Sequence, residues 1–190
     1  MTGIILAGGK NSRMGQNKAF LEIEGRRIID RTRDIFTAVF EEVLLVTNAP
    51  LEYLDVNVRT VTDLHPGKGA LGGVYSGLYL ASHPHAFVAA CDMPYISESL
   101  VRHMVSLAPS FDIVVPRTAD GWQPLHAVYS QRCLRFMEEL IDQGNLKIID
   151  FFHRVRRKEL SEEEIARFDP EMLSFLNLNT PEDLARAPKK

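Results

Sequence analysis

Short apolar runs alternate with segments of helical period along most of the chain, and this alternation restricts the fold more than any other feature. Residues 3–7, 43–47, 58–62 and 87–90 are rich in apolar and β-branched residues, as strands covered on both faces are. Between the first two, Ile28, Ile29, Ile35, Phe36, Val39 and Phe40 share one helical face, while Asp30, Arg31, Arg33 and Asp34 lie off it. Residues 69–81 predict a second helix with a small-residue start. Ser97 is placed to cap a third over 98–107, and 133–141 is amphipathic. Ser161 and Glu164 have capping-box spacing for a short helix. Residues 113–115 and 125–129 predict strands. Residues 175–178 predict a last one, followed by Thr180 as N-cap and Pro181 at a first helical position. The order implies an α/β fold with a mostly parallel sheet covered on both faces, and its length suits one domain over 1–190.

In such sheets ligands gather at the carboxyl ends of the strands, where 8–18, Asn48 and Asp92 fall. The first of these segments, Leu6-Ala7-Gly8-Gly9-Lys10-Asn11-Ser12-Arg13-Met14-Gly15-Gln16-Asn17-Lys18, follows its strand directly. Gly8, Gly9 and Gly15 let the backbone curl and bring N–H groups close to an anion. Lys10, Arg13 and Lys18 add three cations, a set that suits a triphosphate. A glycine-rich turn with solvated charges is the competing reading. The loop is not a Walker A motif, because Gln16 follows Gly15.

The formal net charge of −3 argues against a general polyanion binder and leaves a local phosphate site open. Cys91 and Cys133 form no CxxC pair, so a disulfide framework is not expected and the cytosol is the expected compartment. The N-terminal run shows no basic leader, and no apolar run approaches the roughly 20 residues of a membrane helix. No nucleic acid or membrane partner is expected.

Gly67-Lys68-Gly69-Ala70-Leu71-Gly72 formally matches a dinucleotide fingerprint, and Asp92 lies 20 positions beyond Gly72. His65 and Pro66 separate these glycines from the preceding strand, however, and the fingerprint belongs at a first βα turn. The small residues suit a helix lying close to a ligand or to the sheet. Asp92 ends a buried strand, where a carboxylate is costly unless paired or bound to a cation. A Mg²⁺ ligand and a turn aspartate both remain open. Asp63, at the end of 58–62, is open between ligand and turn residue in the same way. His83 and His85 lack a nearby Cys or acid and are read as surface residues, and Cys91 as a small core residue. Trp122 could stack on a ring or anchor its loop. The basic segment 154–158 is read as a solvated face, with an acidic cofactor or a partner as the alternative.

The segment from Leu6 to Lys18 resembles the Leu-Ala-Gly-Gly-x-x-x-Arg-Met-Gly-x-x-Lys pattern of the nucleotidyltransferases that build the molybdenum guanine dinucleotide cofactor, with every fixed position filled. Further segments follow in the family's order. Residues 69–78 are similar to Gly-Pro-Leu-Gly-Gly-Ile-x-Ser-Gly-Leu, with Ala70 in place of proline. Cys91-Asp92-Met93-Pro94 matches Cys-Asp-x-Pro, and 123–129 is similar to Gln-Pro-Leu-x-Ala-x-Tyr. Residues 177–184 resemble Asn-x-Asn-Thr-Pro-Glu-Asp-Leu.

The resemblance implies a three-layer α/β/α nucleotide-binding domain of the nucleotide-diphospho-sugar transferase kind. The implied reaction moves GMP from GTP to the phosphate of molybdopterin, with Mg²⁺ as cofactor. Leu6, Ala7, Gly8 and Gly9 would line GTP and Lys18 would hold its phosphates. Arg13 would offset charge on the leaving pyrophosphate, and Asp92 would hold Mg²⁺. Asn48 and Asp63 match nucleotide-contacting positions, and Asn177 and Asn179 match positions near the pterin. The implied partners are GTP, molybdopterin and, transiently, cofactor-insertion proteins and client molybdoenzymes. The Gly8-Gly9 pair leans toward the guanylyl branch. A cytidylyl- or sugar-phosphate-transferring relative and a non-catalytic GTP-binding cofactor chaperone are the alternatives.

Overall fold

The computed structural model describes residues 1–8 and 17–178. Its strands are β1 (Thr2–Leu6), β2 (Glu22–Ile23), β3 (Arg26–Arg27), β4 (Glu42–Val46), β5 (Arg59–Val61), β6 (His85–Ala90), β7 (Ile113–Thr118), β8 (Gly121–Trp122), β9 (His126–Ser130) and β10 (Arg157–Leu160). Its α-helices are α1 (Ile28–Val39), α2 (Gly69–Leu80), α3 (Glu98–Leu107), α4 (Leu134–Asp142) and α5 (Glu162–Ala166).

The main sheet runs β10-β7-β9-β6-β1-β4-β5, with β8 paired to β7. β9 runs against its neighbours, pairing antiparallel with both β6 and β7, and the short β8 is antiparallel to β7; the other pairings of this sheet are parallel. Alternate strand residues enter opposite layers. Ile4, Leu6, Leu44, Val46 and Val88 pack in a layer with Leu71, Val74 and Leu78 of α2 and Met137 and Leu140 of α4. Ile5, Leu45, Phe87 and Ala89 pack in a second layer with Ile29 and Phe36 of α1 and Leu100 and Met104 of α3. The period-2 alternation of the strands thus meets the 3.6-residue faces of helices on both sides.

Local signals set the helix ends. Ser97 accepts from the Leu100 N–H and Ser161 from the Glu164 N–H, as their spacing predicts. Residues 157–160 and 175–178 depart from expectation. Residues 157–160 form edge strand β10 beside β7. Only Leu160 of its four residues is fully buried, so the alternation that announces a strand is missing, and charged residues on an edge strand also blunt further pairing. The strand expected over 175–178 is absent. Leu173–Phe175 is a 3₁₀ turn, fixed by the Asp169 carboxylate, which accepts from the N–H groups of Leu173 and Ser174. The Leu178 N–H then donates to the Asp92 carbonyl at 3.0 Å, so this apolar run serves as a strap rather than a ladder. Leu178 packs with Ile23, Ile28 and Tyr95 in a small third cluster. The helix start expected at Thr180 and Pro181 lies outside the described residues. No helix among the described residues is long and apolar enough to cross a membrane.

Candidate active site

β1 sits where the strand order reverses: β4 follows it on one side and β6 adjoins it on the other. Loops leaving the three strands must diverge there, which opens a crevice at their carboxyl ends. A cleft of about 800 Å³ occupies this position. Leu6, Ala7, Gly8 and Lys18 line it from β1 and its loop, Val46, Thr47 and Asn48 from β4, and Asp63 from the end of β5. Cys91, Asp92 and Met93 line it from β6, Gly69, Ala70 and Gly73 from α2, and Asn177 from the C-terminal strap.

Backbone bonds fix the rim. The Ala7 N–H donates to the Val46 carbonyl at 2.9 Å, Cys91 to Leu6 at 3.0 Å, and Thr47 to Val61 at 3.0 Å. Gly67 and Gly69, at φ +84° and +60°, occupy the left-handed region that side chains disfavour, and this turn swings α2 to the cleft. α2 lies almost on the sheet, since a Cβ at Gly73 would come within 3.4 Å of Leu6 Cδ2. Its first-turn N–H groups receive no side-chain cap at Lys68, and such a terminus favours an anion. The fingerprint-like glycines are therefore the wall of the cleft, not a first βα turn.

Asp92 and Lys18 face each other electrostatically. Burial raises the Asp92 carboxyl above the ordinary carboxylate range, and the Lys18 ammonium draws it partly back. Asp63 lines the cleft and also ties it together: Oδ1 accepts from the His65 N–H at 2.9 Å and the Ser76 hydroxyl at 2.8 Å, pinning the end of β5 to α2. Burial pushes the thiols of Cys91, on the cleft wall, and Cys133, in the core, up to about 12, so both are held in the neutral form.

Of the residues singled out in the sequence, Leu6, Ala7, Gly8, Lys18, Asn48, Asp63, Asp92 and Asn177 all line the cleft. Gly9, Arg13 and Asn179 lie outside the described residues. Trp122 does not line it. Its ring packs on Phe152 with the Arg117 and Arg157 guanidiniums nearby, which makes it a loop anchor. The basic segment is dispersed onto acidic partners: Arg154 to Glu139, Arg156 to Asp112, Arg157 to Glu159 and Lys158 to Glu164. His83 meets Thr2 and Glu41, whereas His85 meets the Phe111 carbonyl. Sequence reasoning missed Asn17, Glu52 and Tyr53, which also line the cleft, and gave no role to Gln123, a fixed motif position that lines it too. Asn17 was inside the motif as a variable position, and no spacing rule links it to Tyr53.

The MobA-like NTP transferase domain matches residues 3–159. The chain belongs to this family. A molybdenum cofactor guanylyltransferase of Desulfosudis oleivorans is 40% identical over 189 residues, covering 98% of this chain and 94% of the relative. A probable molybdenum cofactor guanylyltransferase of Pelotomaculum thermopropionicum is 40% identical over 186 residues, covering 98% and 91%. The crystal structure of molybdopterin-guanine dinucleotide biosynthesis protein A from Archaeoglobus fulgidus superposes with a TM-score of 0.85 at 28% identity, covering 98% and 96%. A 2-C-methyl-D-erythritol 4-phosphate cytidylyltransferase from Thermus thermophilus shares the fold at a TM-score of 0.70 and 16% identity, covering 97% and 95%. The family's three-layer fold and nucleotidyltransferase class are those of this chain.

Proposed function

We propose that this nucleotidyltransferase moves GMP from GTP to the terminal phosphate of molybdopterin, forming the guanine dinucleotide cofactor and releasing pyrophosphate. The observation that carries the reading is the meeting of Lys18 and Asp92 in a cleft at the switch point, in a chain 40% identical over nearly its whole length to a molybdenum cofactor guanylyltransferase. The main sheet, which gathers strands from Thr2 to Leu160, supports one transferase domain over 1–190; the compartment in this reading is the cytoplasm.

In this reading the backbone of Leu6, Ala7, Gly8 and Gly9 lines the nucleotide, and Asn48 and Asp63 contact it. Lys18 grips the phosphates, and Arg13 offsets charge on the leaving pyrophosphate. Asn177 and Asn179 border the pterin. The phosphate oxygen of molybdopterin attacks the α-phosphorus of GTP, and the bond to the bridging oxygen of the β-phosphate breaks. A phosphate's second pKa is about 6, so the acceptor is ionised near pH 7 and no protein base is needed. The chain's contribution is alignment and charge neutralisation.

The residues fit Mg²⁺. No group of three or more candidate ligand side chains gathers among the described residues, but Mg²⁺ commonly takes one or two carboxylates and completes its shell with phosphate oxygens and water. The burial-raised Asp92 carboxyl is a group that a cation would relieve. Bound there, Mg²⁺ would supply charge neutralisation and polarise the α-phosphate.

The test is a pair of variants. Asp92→Ala is expected to abolish Mg²⁺-dependent pyrophosphate release, and near-normal release would remove the metal assignment. Lys18→Ala is expected to weaken GTP binding more than guanosine binding, and equal losses would contradict its phosphate role.

A further inference from the structure

Resting on the reading above, we propose that Tyr53 and Asn17 form a latch that holds the two ends of the phosphate loop together and so positions Lys18. The loop leaves β1 at Ala7 and returns at Asn17, and both ends meet one phenol. The Tyr53 hydroxyl donates to the Ala7 carbonyl at 3.3 Å and accepts from Asn17 Nδ2 at 2.8 Å. Asn17 Nδ2 also donates to Glu52 Oε2 at 2.7 Å, and Asn17 Oδ1 accepts from the Ala19 N–H at 3.1 Å. The side chain is thus fixed in orientation: turning the amide over would set its oxygen against a carboxylate and its NH₂ against an N–H.

Each part of the latch is rigid. Tyr53 is only 3% exposed and its ring packs on Phe20 with centroids 5.1 Å apart. It ends the Pro50–Tyr53 turn that follows β4. Burial pushes its phenol up to about 12, so the proton needed for the Ala7 bond is in place at neutral pH. Lys18 follows Asn17 directly and opens the 3₁₀ turn that Asn17 caps. A long, flexible side chain reaches a fixed point only if its backbone is fixed, and small misplacements of a positioning group cost large rate factors. The latch anchors that backbone to the end of β1 and to the turn that follows β4. Asn17 and Tyr53 are positioning residues, acting through Lys18.

The experiment is displacement of a fluorescent GTP analogue by GTP with Mg²⁺ and, separately, by guanosine, using the full chain. Tyr53→Phe keeps the ring and removes only the hydroxyl. It breaks the bonds to Ala7 and Asn17 together, and is expected to weaken GTP at least about fivefold, the low end for two lost hydrogen bonds, and to leave guanosine unchanged. Asn17→Asp sets a carboxylate against Glu52 and is expected to lose more. Adding Glu52→Gln should restore part of that loss, because donor and acceptor have exchanged sides. Wild-type GTP affinity in Tyr53→Phe, equal losses for GTP and guanosine, or no rescue by Glu52→Gln would each overturn the latch. If the wild-type chain itself fails to bind GTP, the functional reading fails. If it binds GTP and the variants behave like it, only the latch does.

Discussion

His126 shows at a single residue how burial and charge set a pH limit. It is fully buried, and neither ring nitrogen finds a hydrogen-bond partner among the described residues. The rings of Phe87 and Phe175 meet it edge-on. Burial pushes its pKa down to about 4, with Asp169 pulling weakly the other way. The unfolded chain therefore binds a proton that the folded one refuses, and stability falls as pH drops from about 6.5 to about 4. With one pKa unit worth 1.36 kcal/mol, the loss reaches roughly 3 kcal/mol. Asp30, held below the ordinary range by the Arg27 guanidinium, adds its loss only at lower pH. His126→Leu, of similar size, is expected to be as stable as wild type at pH 7 and to lose distinctly less between pH 6.5 and 4.5 in urea titrations. An unchanged pH slope would contradict this account. His126 fills a variable position in the strand that the sequence marks as similar to the family, so its strain was not legible there. Lys18 and Asp92 were legible because each is a fixed position of a local motif. Tyr53 and Glu52 were not, because their bonds to Asn17 and Ala7 span 35 to 46 residues.

Among the elements, α2 depends most on its glycines, because close approach to the sheet is what lets its first turn wall the cleft. A Cβ at Gly77 would meet Ile4 Cγ2 at 2.7 Å and Val46 Cγ2 at 3.1 Å. Gly77→Ala gains up to about 1 kcal/mol of helix propensity and incurs overpacking of about 1–3 kcal/mol. A net destabilisation of about 1–2 kcal/mol is expected in denaturant unfolding, with weaker GTP binding as α2 is pushed off β1. A more stable variant would contradict the packing described. α1 and α4 were legible from apolar faces at 3.6-residue spacing, and α3 and α5 from the caps Ser97 and Ser161. β10 was hidden by charge, with Leu160 its one fully buried residue. The strap was mistaken for a strand because Phe175 and Leu178 look alike in sequence but enter different clusters.

For the whole molecule, the alternation of strands and helices foretold the parallel sheet, and the rule that ligands sit at strand ends foretold the side of the sheet that carries the cleft. The sequence does not announce the reversal of strand order that opens the crevice, since order depends on which strands pair across long separations. The proposed function depends on that reversal: Gly8 and Lys18, Asn48, and Asp92 come from three loops and share one cavity only because β4 and β6 flank β1. The most direct test is pyrophosphate release by the full chain with Mg²⁺ and molybdopterin, offered GTP, CTP, ATP or UTP in turn. Release with GTP alone is the predicted result; release with CTP instead, or binding of GTP without any release, would contradict the guanylyltransferase account.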